Sequence, residues 1–206
     1  PYTTPGYQIK NGITSVEGVN LLIFGDHNLQ NLNAARLVCN ELGVSNKKFY
    51  SKIATFKGAS NRLELVKRNK DNAIYKDFAH SPSKLKSTVI AMKKQFKNRR
   101  LVACIELHTF SSLNKIFLKQ YKDCMKAPDV AIVYVSKKAI LHKKLTSITK
   151  DYIHTCFNRK DLLVFTNSRK LREYLTSLDW SNQNLLMMSS GTFDGIKIEE
   201  LIQDKS

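Results

Sequence analysis

Beyond Thr55 the chain alternates short apolar runs with longer stretches whose apolar residues recur every three or four positions. That is the pattern of strands joined by crossing helices. The runs at 63–66, 73–77, 101–107, 130–135, 162–165 and 185–188 predict strands, and 83–96, 114–125, 145–157 and 168–178 predict helices between them. Helical crossovers join parallel strands. The expected fold class is therefore α/β: a Rossmann-like, mainly parallel sheet with helices on both faces.

The segment before Thr55 reads differently. Residues 1–20, with two prolines, three glycines and no sustained period, read as extended or loop. A short apolar run at 21–24 is a strand candidate. Across 28–42, Leu29, Leu32, Ala35, Leu37 and Val38 recur at near-helical spacing, and Gly43 stands where a helix would stop. Asn46 is expected to cap a second, shorter helix through Ile53. No internal repeat, low-complexity tract or long linker interrupts the chain.

Composition narrows the classes. A chain of 206 residues is long enough for one domain of ordinary size plus a remnant. No apolar run approaches the ~20 residues of a membrane span, so a membrane partner is not expected. Cys39, Cys104, Cys124 and Cys156 are widely spaced and lack a Cys-x-x-Cys pair. They read as buried free thiols of a reducing, cytoplasmic compartment and not as a zinc site or disulfide framework.

None of the eight glycines is followed by lysine, so the phosphate-cradling loop that ends in Gly-Lys-Ser/Thr is missing. The chain alone is not expected to hydrolyse ATP, and its start at Pro1 suggests a fragment. The formal net charge of +17 raises three readings: a solvated surface, attraction of anionic nucleotides and precursors, or nucleic-acid binding. The lysines are dispersed, at Lys84, Lys86, Lys93, Lys94 and Lys97, at Lys137, Lys138, Lys143 and Lys144, and singly elsewhere. No nucleic-acid-binding motif accompanies them, so nucleic acid is not an expected partner.

Candidate chemistry concentrates at strand-to-helix turns, where α/β folds bind ligands. Asp77-Phe78-Ala79-His80-Ser81-Pro82 places an acid and an imidazole at one such turn. Upstream lie His27-Asn28-Leu29-Gln30-Asn31 and Phe56-Lys57-Gly58 with Arg62. Downstream come Glu106-Leu107-His108-Thr109-Phe110-Ser111-Ser112 and Met187-Met188-Ser189-Ser190-Gly191. In this order the motifs resemble the C-terminal region of a Mur ligase, over nearly the whole chain from about Gly25 to Leu201.

The resemblance implies a parent that is an ATP-dependent amide ligase. Residues 1–54 would be the tail of its central ATP-binding domain and 55–206 its C-terminal domain. The branch resembled joins UDP-N-acetylmuramate to the tripeptide L-alanyl-γ-D-glutamyl-meso-diaminopimelate in peptidoglycan recycling. ATP phosphorylates the muramyl carboxylate, and the peptide's amine then attacks. Magnesium would be used as well, with ligands expected in the central domain, outside this chain. Two alternatives stand beside this reading: a ligase of the same family adding L-alanine or another amino acid, and a non-catalytic basic domain that binds nucleotide or nucleic acid.

Carried over residue by residue, Asn28 and Asn31 would contact adenine, since a carboxamide offers donor and acceptor together. The competing reading of Asn28 is a helix cap, and His27 reads as structural. Arg62 would reach the ATP phosphates with a bidentate fork. Asp77 would accept from the ribose hydroxyls, with a surface ion pair or turn cap as its alternative. Both are expected to touch ligand more than core. His80 would lie near the incoming amine and is the catalytic candidate, for orientation or proton handling. His108, Thr109, Ser111, Ser112, Ser190 and Gly191 would form the substrate wall. In the alanine-adding branch two arginines grip the amino-acid carboxylate where this chain has Thr109 and Ser112, which disfavours free alanine. Oligomeric state is not legible.

Overall fold

The computed structural model describes residues 3–136, 140 and 148–202. Its centre is a six-stranded sheet in the order β4-β5-β9-β6-β7-β8, from β4 (Glu64–Arg68), β5 (Ala73–Asp77), β6 (Arg100–Leu107), β7 (Val130–Val135), β8 (Leu163–Phe165) and β9 (Gln183–Met188). Edge strand β4 is antiparallel to β5 and carries an irregularity between Leu65 and Lys67; every other pairing is parallel. The expected α/β class is the one observed.

Side chains alternate between the two faces of each strand, and both faces are covered. On one face Ala103, Ile105, Val133 and Leu186 pack with Leu85, Val89 and Met92 of α3 (Pro82–Gln95) and with Ile153 and Phe157 of α5 (Lys150–Phe157). On the other, Val102, Cys104, Ile132 and Leu185 meet Leu171 and Leu175 of α6 (Ser168–Ser177), Trp180 and the C-terminal Leu201 and Ile202. Pro82 opens α3, where its missing N–H is no loss.

Residues before the sheet fold around a core of their own: Val16, Leu21, Leu29, Leu32, Phe49 and Tyr50. Here the expectation of loop over 1–20 fails. β1 (Gln8–Lys10), β2 (Ile13–Val16) and β3 (Val19–Leu21) form an antiparallel meander, and of the strand expected at 21–24 only Leu21 is extended in a ladder. The two-residue turns Asn11-Gly12 and Glu17-Gly18 all have positive φ, the geometry that matches the twist of a hairpin. Alternation is short here, but Asn-Gly was its own signal.

The helices α1 (Asp26–Glu41) and α2 (Asn46–Ile53) appear where the spacing places them. The cap of α2 is Ser45, whose hydroxyl accepts from Lys48 N, and not Asn46. Asn46 instead accepts from Arg36 and Asn40 of α1. The meander and α1 are held to α3 by Thr14, which donates to Gln95, by Gln95, which donates to Gly12 O, and by a Tyr7–Asp26–Lys94 cluster.

The long helix expected over 114–125 is also corrected. Only α4 (Lys115–Leu118) and a single 3-10 turn, Lys119–Tyr121, are formed; Lys122 leaves helical geometry and Asp123 has φ 61°. Asn114 caps α4 through the N–H groups of Ile116 and Phe117. The chain unwinds because fully buried Tyr121 turns inward, stacking on Phe157 at 5.2 Å and donating its hydroxyl to His80 O. Of the helix expected over 145–157, residues 145–147 lie outside the described residues, as do Lys137, Lys138, Lys143 and Lys144. Cys104, Cys124 and Cys156 are buried free thiols and Cys39 is half-buried. Among the described residues no helix is long and apolar enough to cross a membrane.

Leu85 is fully buried in α3 while Ile90 of the same helix is 43% exposed. Leu85→Ala should therefore lower the unfolding free energy by about 2–5 kcal/mol, and Ile90→Ala by no more than about 0.5 kcal/mol. Urea denaturation of both variants checks the packing of α3, and equal losses would refute it.

Candidate functional site

Strands β5, β9 and β6 end side by side, with β9 inserted between two strands that precede it in sequence. This is the crevice where open parallel sheets bind ligands. The turn after β5 is locked by Asp77. One carboxylate oxygen accepts the N–H of Leu63 and the other that of Ala79, both at 2.7 Å, while Asp77 O accepts from Ser189 N of the β9 end.

A cleft of about 670 Å³ opens beside this turn, between α1 and the start of α3. It brings together four sequence-predicted residues, Asn28, Asn31, Arg62 and Asp77, with His27, Ser83 and Lys84. Ile23, Leu32 and Phe56 supply its apolar wall. Asn28 does not cap α1, whose cap residue is Gly25; its amide donates to Phe24 O at 3.0 Å, and its side-chain oxygen takes no hydrogen bond among the described residues. Asn31, one turn on, is exposed and has no side-chain hydrogen bond among the described residues. Arg62 is exposed at the rim, its guanidinium 5.9 Å from the centre of the Phe78 ring.

Asp77 departs from the expectation that it would touch ligand more than core. It is only 6% exposed, and the turn cap is a role it performs. Burial raises its carboxyl above the usual range, against the two N–H donors and the charges of His27 and Arg62. Burial also lowers His27, against the pull of Asp77 and Asp26.

His80 is half-buried, three residues further on. Its Nδ1 lies 2.9 Å from Phe78 O. A carbonyl can only accept, so Nδ1 carries the proton, and in a neutral ring Nε2 is left as an acceptor. The Phe78 ring meets the imidazole edge-on at 5.2 Å, and Tyr121 holds the His80 carbonyl from beneath.

The expected substrate wall lies at the ends of β6 and β9. His108 is half-buried, and its Nδ1 is sealed from solvent with no partner among the described residues; Ser190 Oγ is in the same state. Thr109 and Ser112 instead close on each other. Ser112 Oγ accepts from Thr109 N at 3.0 Å and donates to Thr109 O at 3.1 Å, and Ser112 is 1% exposed. Ser112 thus forms a turn and is not an open contact, while Thr109 Oγ1 and exposed Ser111 face each other at 3.1 Å.

Glu106 is the residue that sequence reasoning passed over. It is 3% exposed, and its Oε2 accepts from Ser189 Oγ at 2.5 Å and Phe193 N at 2.9 Å. Ser189 Oγ in turn accepts from Gly191 N at 2.6 Å. A Cβ on Gly191 would stand 2.9 Å from Glu106 Oε2 and 3.1 Å from His108 Nε2, so only glycine lets the turn close over both. The available signal was an acid inside the otherwise apolar run Leu101–Leu107, since a buried carboxylate is there for its bonds.

No family model matches the chain. A UDP-N-acetylmuramate–L-alanine ligase from Sulfurihydrogenibium is 35% identical over 115 residues, covering 56% of this chain and 25% of that protein. The same-named enzyme of Caldicellulosiruptor bescii is 31% identical over 149 residues, 72% of this chain and 32% of that protein. The chain thus spans a quarter to a third of these relatives' length. Among solved structures, the UDP-N-acetylmuramate–alanine ligase of Thermotoga maritima superposes with a TM-score of 0.70 at 14% identity, over 92% of this chain and 42% of that one. A murein peptide ligase from Psychrobacter arcticus gives 0.57 at 22% identity, over 90% and 38%. A third ligase, also from Thermotoga maritima and solved with ADP, gives 0.62 at 15%, over 91% and 42%. These structural likenesses speak for the fold. Joined to the relatives' identity and to motifs that fall in the family's order, they make the chain a member of the Mur ligase family that corresponds to its C-terminal region.

Proposed function

We propose that this chain is the nucleotide-closing and acceptor-binding portion of a cytoplasmic ATP-dependent amide ligase of peptidoglycan metabolism. The observation that carries the reading is the cleft that gathers Asn28, Asn31, Arg62 and Asp77 at the carboxyl ends of the sheet. In this reading residues 1–54 belong to the central nucleotide-binding domain and 55–206 form the C-terminal domain. The separate core of the N-terminal segment supports that division.

The residues present fit a nucleoside triphosphate. The cleft has an apolar wall for a base, the open Asn28 oxygen and Asn31 amide for its edge, and Arg62 and Lys84 for phosphate. Asp77 retains acceptor capacity toward ribose hydroxyls beyond the two N–H bonds it already takes. ATP, when bound, supplies the phosphoryl group that activates the acid substrate, taken here as UDP-N-acetylmuramate. Among the described residues no group of three or more His, Cys, Asp and Glu side chains is placed to hold a metal, so no step is assigned to magnesium here. His80, with Nε2 as acceptor, orients the incoming amine. The chain's main contribution is positioning: it brings acceptor and nucleotide together and excludes water.

For the acceptor we favour the tripeptide L-alanyl-γ-D-glutamyl-meso-diaminopimelate over free L-alanine. His108 Nδ1 and Ser190 Oγ, unpaired among the described residues, mark a polar wall that a ligand would complete, whereas Thr109 and Ser112 form a neutral turn with no carboxylate clamp. The names of the matched relatives favour alanine, and this is the second reading. Competition between the two amines in the complete protein decides it. Lack of one charge-assisted contact, worth about 1.5–3 kcal/mol, should hold alanine use roughly 10- to 100-fold below the tripeptide's. Equal specificity constants would leave the alanine reading in place.

Exposed Arg62 offers a clean test of the cleft, which buried Asp77 does not: Asp77→Ala would strand two N–H groups at about 1–3 kcal/mol each. In the complete protein, Arg62→Ala should reduce ligation by tenfold or more, on the order of one charged hydrogen bond, with an unchanged melting temperature. Arg62→Lys should stay impaired because an ammonium lacks the fork. Full activity of both variants would remove Arg62 from the site.

A further inference from the structure

Helix α3 begins at the nucleotide cleft and ends, about 20 Å away along its axis, at a second cleft on the opposite pole of the sheet. This second cleft, about 490 Å³, lies between the β1–β2 turn, the β4–β5 hairpin and the segment entering β6. Arg68, Lys70, Lys94, Lys97 and Arg99 line it, and no acidic residue does.

Most of this charge has no acidic partner among the described residues. Lys94 reaches Asp26 at 3.4 Å, but Arg68, Lys70, Lys97 and Arg99 have no ion pair among the described residues. The two guanidinium groups are fixed by neutral acceptors instead. Arg68 donates to Tyr75 Oη at 3.0 Å; Arg99 donates to Lys70 O at 3.0 Å and Asn184 Oδ1 at 3.3 Å and lies 5.6 Å from the Phe96 ring centre. The forks are thus held in place with charge undiminished and donors to spare.

Complementing the helix C-terminus accounts for Lys94 and Lys97. It does not account for Arg68 and Lys70, which come from another hairpin, nor for the clamping of Arg99 beside them. The wall opposite is firm, because a Cβ on Gly12 would stand 3.2 Å from the Phe96 ring and Gln95 donates to Gly12 O at 2.7 Å. Like charges gathered in a formed cleft repel one another until an anion enters.

We propose that this cleft is a second anion site, which takes the diphosphate or triphosphate group of a small molecule independently of the nucleotide cleft. Arginine forks match phosphate oxygens in pairs, and the volume suits a compact ligand. The source of the group, free inorganic pyrophosphate or the diphosphate of a nucleotide, is separated by the arms of the test.

Calorimetric titration of the full chain with inorganic pyrophosphate and with UDP, in low salt without divalent cations, measures the site. Arg68→Gln/Lys97→Gln removes two of its cations, Lys70→Gln/Lys97→Gln removes two exposed ones, and Arg62→Gln serves as the control in the other cleft. Unliganded melting temperatures establish that each variant folds. The expected result is binding by the wild type and by Arg62→Gln, weakened roughly tenfold or more in both cleft variants, with tighter UDP than pyrophosphate binding if the source is a nucleotide. No binding at millimolar pyrophosphate, unchanged affinity in both cleft variants, or loss in Arg62→Gln instead would overturn the proposal. Displacement of pyrophosphate by an equimolar single-stranded RNA oligonucleotide would overturn it too, in favour of a polymer-binding surface.

Discussion

One buried carboxylate holds the cleft together. Asp77 ends a strand, and its two oxygens take the N–H groups of Leu63, at the entrance to β4, and of Ala79, in the turn toward α3, while its carbonyl takes that of Ser189 beyond β9. Three separate backbone segments are thereby fixed around one residue, two of them by its side chain. Desolvation opposes the arrangement and holds the carboxyl above its usual range, and the two N–H bonds offset it in part. Arg62 and His80 each adjoin a residue whose N–H bonds to that carboxylate, so their placement depends on it, while the β9 end is tied to the Asp77 backbone.

A second buried acid has the same role on β6, across β9 from the first. Glu106 closes the β9 turn through Ser189 and Phe193, and Gly191 passes close enough to both Glu106 and His108 that no side chain fits between. Because Ser189 N also donates to Asp77 O, the turn after β9 is pinned from both neighbouring strands. The cleft beside Asp77 and the polar wall at the ends of β6 and β9 therefore share a single hydrogen-bonded element. Ser190 follows directly on the backbone N–H that bonds to Asp77 O, so the polar wall and the cleft meet in one turn.

The sheet was legible because its strands are buried on both faces, so they read as apolar runs, and because α3 and α6 keep helical spacing throughout. The meander was not, since its strands of three or four residues are too short for alternation to register and the Asn11-Gly12 turn carries the information instead. The helix over 114–125 failed for a tertiary reason: periodicity cannot foresee that Tyr121 gains more from Phe157 and His80 O than from continuing the helix. At the site, residue types and order pointed to Asn28, Asn31, Arg62 and Asp77, which the fold brings to one cleft. The same residue types could not distinguish a hydroxyl that faces a ligand from one used in its own turn, as Ser112 is. Nor could they show that Asp77 is structural before it is anything else.

Charge is where sequence and structure differ most usefully. A net +17 spread over dispersed lysines reads as a solvated surface, yet folding sorts some of it onto two poles of one helix. Lys84 stands at the first pole beside Arg62, where the amino end of α3 adds to the attraction of an anion. At the second pole the helix end is negative and would itself repel an anion, so the cations gathered there must exceed what the helix terminus requires before the cleft turns attractive. Arg68, Lys70 and Arg99 supply that excess from outside the helix, the two guanidinium groups held by a tyrosine hydroxyl, a carboxamide and a carbonyl that leave their charge intact. The surplus is a property of the fold and not of composition, because the residues that create it are brought together from β4, its hairpin and the entry to β6.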